Sequence, residues 1–256
     1  MRRLALTCLA IAVAVTPGCS HDPAARRARD AHAPAARPAM PPAGPPPHAN
    51  GTLALRLAQL APDADARVLA LAVDAQACAA AAGDTGPVSR LAVIDYSRPS
   101  TQPRLWVFDL QRERLLYREH VAHGRGTGEN LATRFSNREG SHQSSLGLFR
   151  TAETYTGGNG YSLRMDGLEP GFNDLARPRA IVMHGAPYVD PAQALRQGRL
   201  GRSLGCPALR SGIARELIDT LKQGQLLFAY YPDPAWLARS RYLGCTARAG
   251  VHATAR

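Results

Sequence analysis

Between residues 90 and 232 this chain is a succession of short runs rich in β-branched and aromatic residues, and this constrains its fold more than any other feature. "RLAVIDYS" (90–97), "PRLWVFDLQ" (103–111), "LLYREHVAHG" (115–124), "SSLGLFRTAETYT" (144–156), "YSLRMDGL" (161–168), "RAIVMHG" (179–185) and "QLLFAYYP" (225–232) all have strand composition and strand length. Turn chemistry separates them. "QRER" reads as a hairpin turn, Gly124, Gly126 and Gly128 open a loop, and "GGNG" makes a tight turn. One helical period lies inside the span: after Cys206, Leu209, Ile213, Leu217 and Leu221 recur every fourth residue, and Gly224 follows as a stop signal. Many strands with few helices predict a mainly β domain, with one helix after Cys206.

The flanks have different compositions. Residues 51–90 are Ala- and Leu-rich and are broken by Pro62, which reads as a short helical extension of two helices. Residues 19–50 are Pro, Ala, Arg and His and cannot bury apolar surface, so they read as a tether. Its histidines, His21, His32 and His48, lack the spacing of metal ligands. Residues 1–18 begin with two arginines and an apolar run (4–15) too short to span a bilayer, the pattern of an export signal. Residues 16–19, "TPGC", resemble the lipobox of bacterial lipoproteins and imply lipid attachment at Cys19 and a membrane anchor, with plain signal cleavage as the alternative; either gives a periplasmic or cell-envelope location. The segment 234–256 carries four arginines and no acid, and reads as a basic tail that frays. The formal net charge of +11 comes almost wholly from arginine, Lys222 being the only lysine. No stripe of Arg interleaved with aromatics accompanies it, so nucleic acid is not an expected partner.

Cys78, Cys206 and Cys245 remain after the signal and the lipidation position, and an oxidising compartment allows them one disulfide and one free thiol. Cys206, between Gly205 and Pro207 in "GRSLGCPAL", reads as a thiol at a helix N-terminus, where unpaired N–H groups and the helix dipole favour thiolate. The N–H groups of Gly205 and Cys206 are candidates for an oxyanion hole. Equally, a free cysteine is often a small buried apolar residue. A reactive thiol needs a base. His120 and His123 are three residues apart in a strand pattern, on opposite faces, which argues against a shared metal site. His142 sits in a polar loop. His184 follows the apolar run 180–183 and is read as delivered at a strand end.

"IVMHG", whose His184 is followed 22 positions later by Cys206 in "GRSLGCPAL", resembles the L,D-transpeptidase (YkuD-type) family and its HG…S-H-G-C signature. "SSLGLF" is similar to the T-P-x-G-x-F strand of that family, and the likeness extends over residues 91–232, closest to the murein L,D-transpeptidase catalytic-domain subgroup. Leu204 stands where the broader family has His. The resemblance implies a catalytic domain over 91–233 with a mixed sheet, sandwich- or barrel-like. It makes Cys206 the acyl-accepting nucleophile and His184 its base, oriented by the Gly185 carbonyl, with Ser203 in loop support or substrate contact. Arg202, from its charge and position, would meet a carboxylate of an anionic peptide. With Cys206 as nucleophile, Cys78 and Cys245 are left to pair.

The implied reaction is acyl transfer on peptidoglycan stem peptides, with slow acylation by carbapenems and with no metal or cofactor. Water as acceptor would make the enzyme an L,D-carboxypeptidase or endopeptidase. A non-catalytic cell-wall binding module would share the charge, tether and export. A thiol redox protein would want a C-x-x-C pair, which this chain lacks.

Overall fold

The computed structural model describes residues 50–245. The export signal, the tether and Cys19 lie outside the described residues. Two helices come first: α1 (Asn50–Leu60) and α2 (Ala66–Ala81), separated at Pro62. Asp65 caps α2 by accepting from the Arg67 N–H, and Val68, Leu69, Ala72 and Val73 form its buried face. Nine strands, three further helices and their connections follow. These are β1 (Arg90–Asp95), β2 (Leu105–Asp109), β3 (Arg114–Glu119), β4 (Val121–Ala122), β5 (Gly147–Gly157), β6 (Gly160–Gly167), β7 (Val182–Ala186), α3 (Pro191–Gln197), β8 (Ala208–Arg210), α4 (Ser211–Leu221), β9 (Leu226–Tyr230) and α5 (Pro234–Arg239).

All nine strands form one mixed sheet in the order β3-β2-β1-β9-β5-β6-β7-β8-β4. Only β1–β9 and β7–β8 are parallel pairs. The two edge strands, β3 and β4, are consecutive in the chain and separated by His120 alone. A sheet whose edges are joined by one residue must curl until they meet, so the sheet is nearly closed. The fold is mainly β, as the strand pattern predicts. Every residue of β2 and β9 is buried, so both faces of these strands are covered and the two-residue alternation is lost. The core includes Leu91, Ile94, Trp106, Phe108 and Phe228, with α2 packed against β1 and β9.

Three expectations are corrected. Ala180 adopts φ +52°, outside strand conformation, so β7 starts at Val182 and His184 lies in its middle rather than at its end. Residues 208–210 pair in parallel with 184–186 as β8, so the helix expected to start at Pro207 starts at Ser211. The segment read as a fraying tail is ordered as far as Cys245. Asp233 caps α5, the Trp236 indole is fully buried and donates to Glu169 (2.9 Å), and the Gly244 N–H donates to Asp74 (2.9 Å).

Cys78 and Cys245 form a disulfide across a sequence separation of 167. Chain entropy makes such a link worth up to about 5 kcal/mol, by restricting the unfolded chain. Changing both cysteines to Ser is expected to lower the urea midpoint markedly, and reductant to do the same to the wild type. A midpoint indifferent to both would show that the disulfide does not stabilise the fold.

Candidate active site

β7 carries His184 with a hydrogen-bonded strand on each side, paired to Ser162 of β6 and Ala208 of β8. The same parallel register sets Cys206 level with Val182, one two-residue repeat from His184. The Val182 N–H donates to Cys206 Sγ (3.4 Å), and the thiol is directed at the Ala180 carbonyl (3.7 Å). Both residues are buried, Cys206 at 7% and His184 at 4% exposure. Gly185 lets α4 close over this point: a Cβ there would stand 2.8 Å from Ala214 Cβ.

His184 Nδ1 lies 3.0 Å from the Gly185 carbonyl. A carbonyl only accepts, so Nδ1 carries the hydrogen and Nε2 keeps its lone pair. That is the tautomer a general base requires. Burial pulls the imidazole below its ordinary value, against a smaller opposing effect of the Gly185 carbonyl. Burial pushes the Cys206 thiol up, opposed by the Val182 N–H and the Arg179 charge. The helix-terminus reading of Cys206 is therefore corrected: α4 begins five residues later, and the resting pair is a neutral thiol and a neutral imidazole. Neither hydrogen-bond partner of the sulfur is the imidazole, as is common before substrate arrives.

The loop that presents Cys206 is tied at both ends. Ser203 Oγ donates to the Cys206 carbonyl (2.6 Å) and accepts from the Gly205 N–H (3.1 Å). The Gly205 amide is thus engaged by Ser203 and not offered as the oxyanion donor expected of it. Gly205 has φ +127°, and a Cβ would meet Gln143 O at 2.9 Å, so the turn requires glycine. Ser144 Oγ holds the Gly205 carbonyl (3.0 Å) and accepts from the Gly124 N–H (3.0 Å). The Ser203 N–H donates to His123 O (3.0 Å) in an isolated parallel bridge that ties the loop to the chain just after β4.

Behind the loop, Arg104 is fully buried over the Tyr96 ring, and its Nη2 is 2.8 Å from His123 Nδ1. Arginine only donates, so Nδ1 accepts and Nε2–H faces the Gly128 carbonyl (3.3 Å). Burial, and then the Arg104 charge, hold His123 down to about 3, so it stays neutral and structural. His120 is held apart from it, at the Thr101 carbonyl. Arg202 does not wait for a peptide carboxylate: its guanidinium takes the Gly128 carbonyl (2.9 Å) and Glu129 (2.6 Å). Leu204 is 59% exposed beside the nucleophile. Sequence reasoning singled out neither Ser144, Arg104 nor Arg179. Ser144 lies within the "SSLGLF" stretch, the one signal that pointed to it.

A family model described as an L,D-transpeptidase catalytic domain matches residues 60–230. Among solved structures, the chain is similar to an L,D-transpeptidase from Mycobacterium smegmatis, 13% identical over 56% of this chain and 59% of that one, with a TM-score of 0.35. It is similar to L,D-transpeptidase 1 from Mycobacterium tuberculosis, 13% identical over 56% and 62% of the two chains, TM-score 0.31. A fused Zn-dependent amidase/peptidase/peptidoglycan-binding domain-containing protein from Clostridium acetobutylicum is 17% identical over 61% and 62%, TM-score 0.34. The chain thus spans about three fifths of the length of these structures. No curated protein sequence matches it.

Proposed function

Because the chain belongs to the L,D-transpeptidase catalytic-domain family, we propose that it transfers acyl groups between peptidoglycan stem peptides through Cys206. The observation that carries this reading is a free buried thiol held against β7 two residues from an imidazole whose Nδ1–H is fixed on Gly185, leaving Nε2 as the acceptor. Nε2 takes the thiol proton as the sulfur attacks the carbonyl of the diamino acid, third in the stem. The new S–C bond forms, the C–N bond to the terminal D-alanine breaks, and the proton passes to the leaving amine. A stem amine then attacks the thioester, forming the cross-link and returning the thiol. Water in its place would make the activity an L,D-carboxypeptidase. Export and a lipid anchor at Cys19 go with this reading.

Incubation of the protein with purified disaccharide-tetrapeptide, followed by separation of products by mass, tests it. Cross-linked dimer with released D-alanine is expected. Tripeptide alone would replace the transpeptidase with a hydrolase, and binding to sacculi without any change of muropeptide would leave only a binding module.

A further inference from the structure

Four arginines near the site are paired with carboxylates. Arg177 pairs with Glu153 and Asp166, Arg199 and Arg202 with Glu129, and Arg210 with Glu119. Arg179 has no carboxylate at ion-pair distance among the described residues. Its Nη1 donates to the Ser136 carbonyl (2.7 Å) and Ser145 Oγ (2.6 Å), and its Nη2 to the Gln143 carbonyl (2.7 Å) and Ser141 Oγ (3.3 Å). These neutral oxygens hold a partly buried cation in place and leave its charge uncompensated. Burying such a charge is costly unless an anion answers it.

The chain runs from Arg179 straight to the sulfur. Ala180, in the left-handed region at φ +52°, offers its carbonyl to the thiol, and the Val182 N–H donates to Sγ. A non-glycine residue held there is strained, a feature that clusters at functional sites. On its other side Arg179 grips residues 143 and 145. They flank Ser144, which holds the Gly205 carbonyl. Three titratable groups interact electrostatically with the sulfur, Tyr188, Tyr96 with Arg104 behind it, and Arg179, while His184 lies two residues along β7 from Val182, whose N–H donates to Sγ. Both phenols are pushed up to about 12, mainly by burial, and stay neutral. Burial favours neutral His184 at rest, so in the free enzyme Arg179 is the cation that lowers the thiol; once His184 takes the thiol proton its imidazolium adds to that charge.

We propose that Arg179 is a positioning residue whose guanidinium is a fixed counter-charge of the Cys206 thiolate, adding to the imidazolium formed when His184 takes the thiol proton and stabilising the anion until the S–C bond forms. This rests on Cys206 being the nucleophile.

The test is the pH profile of Cys206 alkylation by iodoacetamide in the full chain, for wild type, Arg179→Gln and Arg179→Lys. A neighbouring opposite charge moves a pKa by about one unit or more. Arg179→Gln is therefore expected to raise the midpoint by about one unit, slowing alkylation about tenfold near neutral pH, with equal rates on the alkaline plateau. Arg179→Lys keeps the charge and is expected to stay near the wild-type midpoint. An unchanged midpoint in Arg179→Gln, or a uniform loss at every pH, would overturn the proposal. So would an equal rise in Arg179→Lys, and this variant carries the test alone if Arg179→Gln does not fold. Alkylation needs no turnover. A thiol that follows this pattern in a protein inert towards muropeptides would defeat the proposed activity and leave the role of Arg179 standing.

Discussion

Cys206→Ala is expected to reduce turnover of disaccharide-tetrapeptide on the order of 10⁴-fold or more, because a covalent step has no substitute once its nucleophile is gone. The fold is expected to survive. The sulfur makes two long hydrogen bonds, 3.4 and 3.7 Å, and the loop around it is held by Ser203 and Ser144 instead. Losing one buried sulfur costs about 1 kcal/mol at such a site. Unfolding in urea and turnover should therefore separate: a nearly unchanged midpoint with background activity. Turnover within tenfold of wild type would place the chemistry elsewhere.

His184→Gln is the second large effect, about 10²- to 10⁴-fold in kcat, the range for removing a general base. Its pH profile says more than its size. In the wild type the imidazole must be neutral to take the proton, and burial holds it below its ordinary value of 6.5, so the acid limb is expected below that pH. The thiol is held above its ordinary value of 9.0. Without the base, attack must wait for the thiol to ionise unaided. The variant's rate is therefore expected to climb about tenfold per pH unit up to about pH 9 and to stay below wild type even there, because the leaving amine has also lost its proton donor. A variant whose profile keeps the wild-type limbs would show that His184 is not the base.

The strands, the helical pair around Pro62 and the His184–Cys206 spacing were legible in the sequence because each is carried by local composition or a short motif. The start of α4 was not. Pro207 and the leucine repeat read locally as helix, while residues 208–210 become strand only through parallel pairing with β7, and one-dimensional periodicity does not encode pairing. The α5 segment had a readable signal: Asp233 before Pro234 is a cap followed by a first-turn proline. Its lack of acids and excess of arginine concealed it. Arg179 was invisible because its anchors lie 34 to 43 residues away in the chain. The Arg202 ion pair was hidden for the same reason, its carboxylate partner Glu129 lying 73 positions earlier. Leu204 shows what the motif conveys and what it does not: the position is named by the resemblance, and the exposure of an apolar side chain there is seen only in the fold.

The central claim is that the stem peptide is carried as a thioester on Cys206. Rapid acid quench during turnover of disaccharide-tetrapeptide, followed by digestion and mass measurement of the Cys206 peptide, tests it most directly. This peptide is expected to gain the mass of the disaccharide-tripeptide acyl group, with free D-alanine in step. Release of D-alanine while Cys206 stays unmodified at every quench time would contradict it.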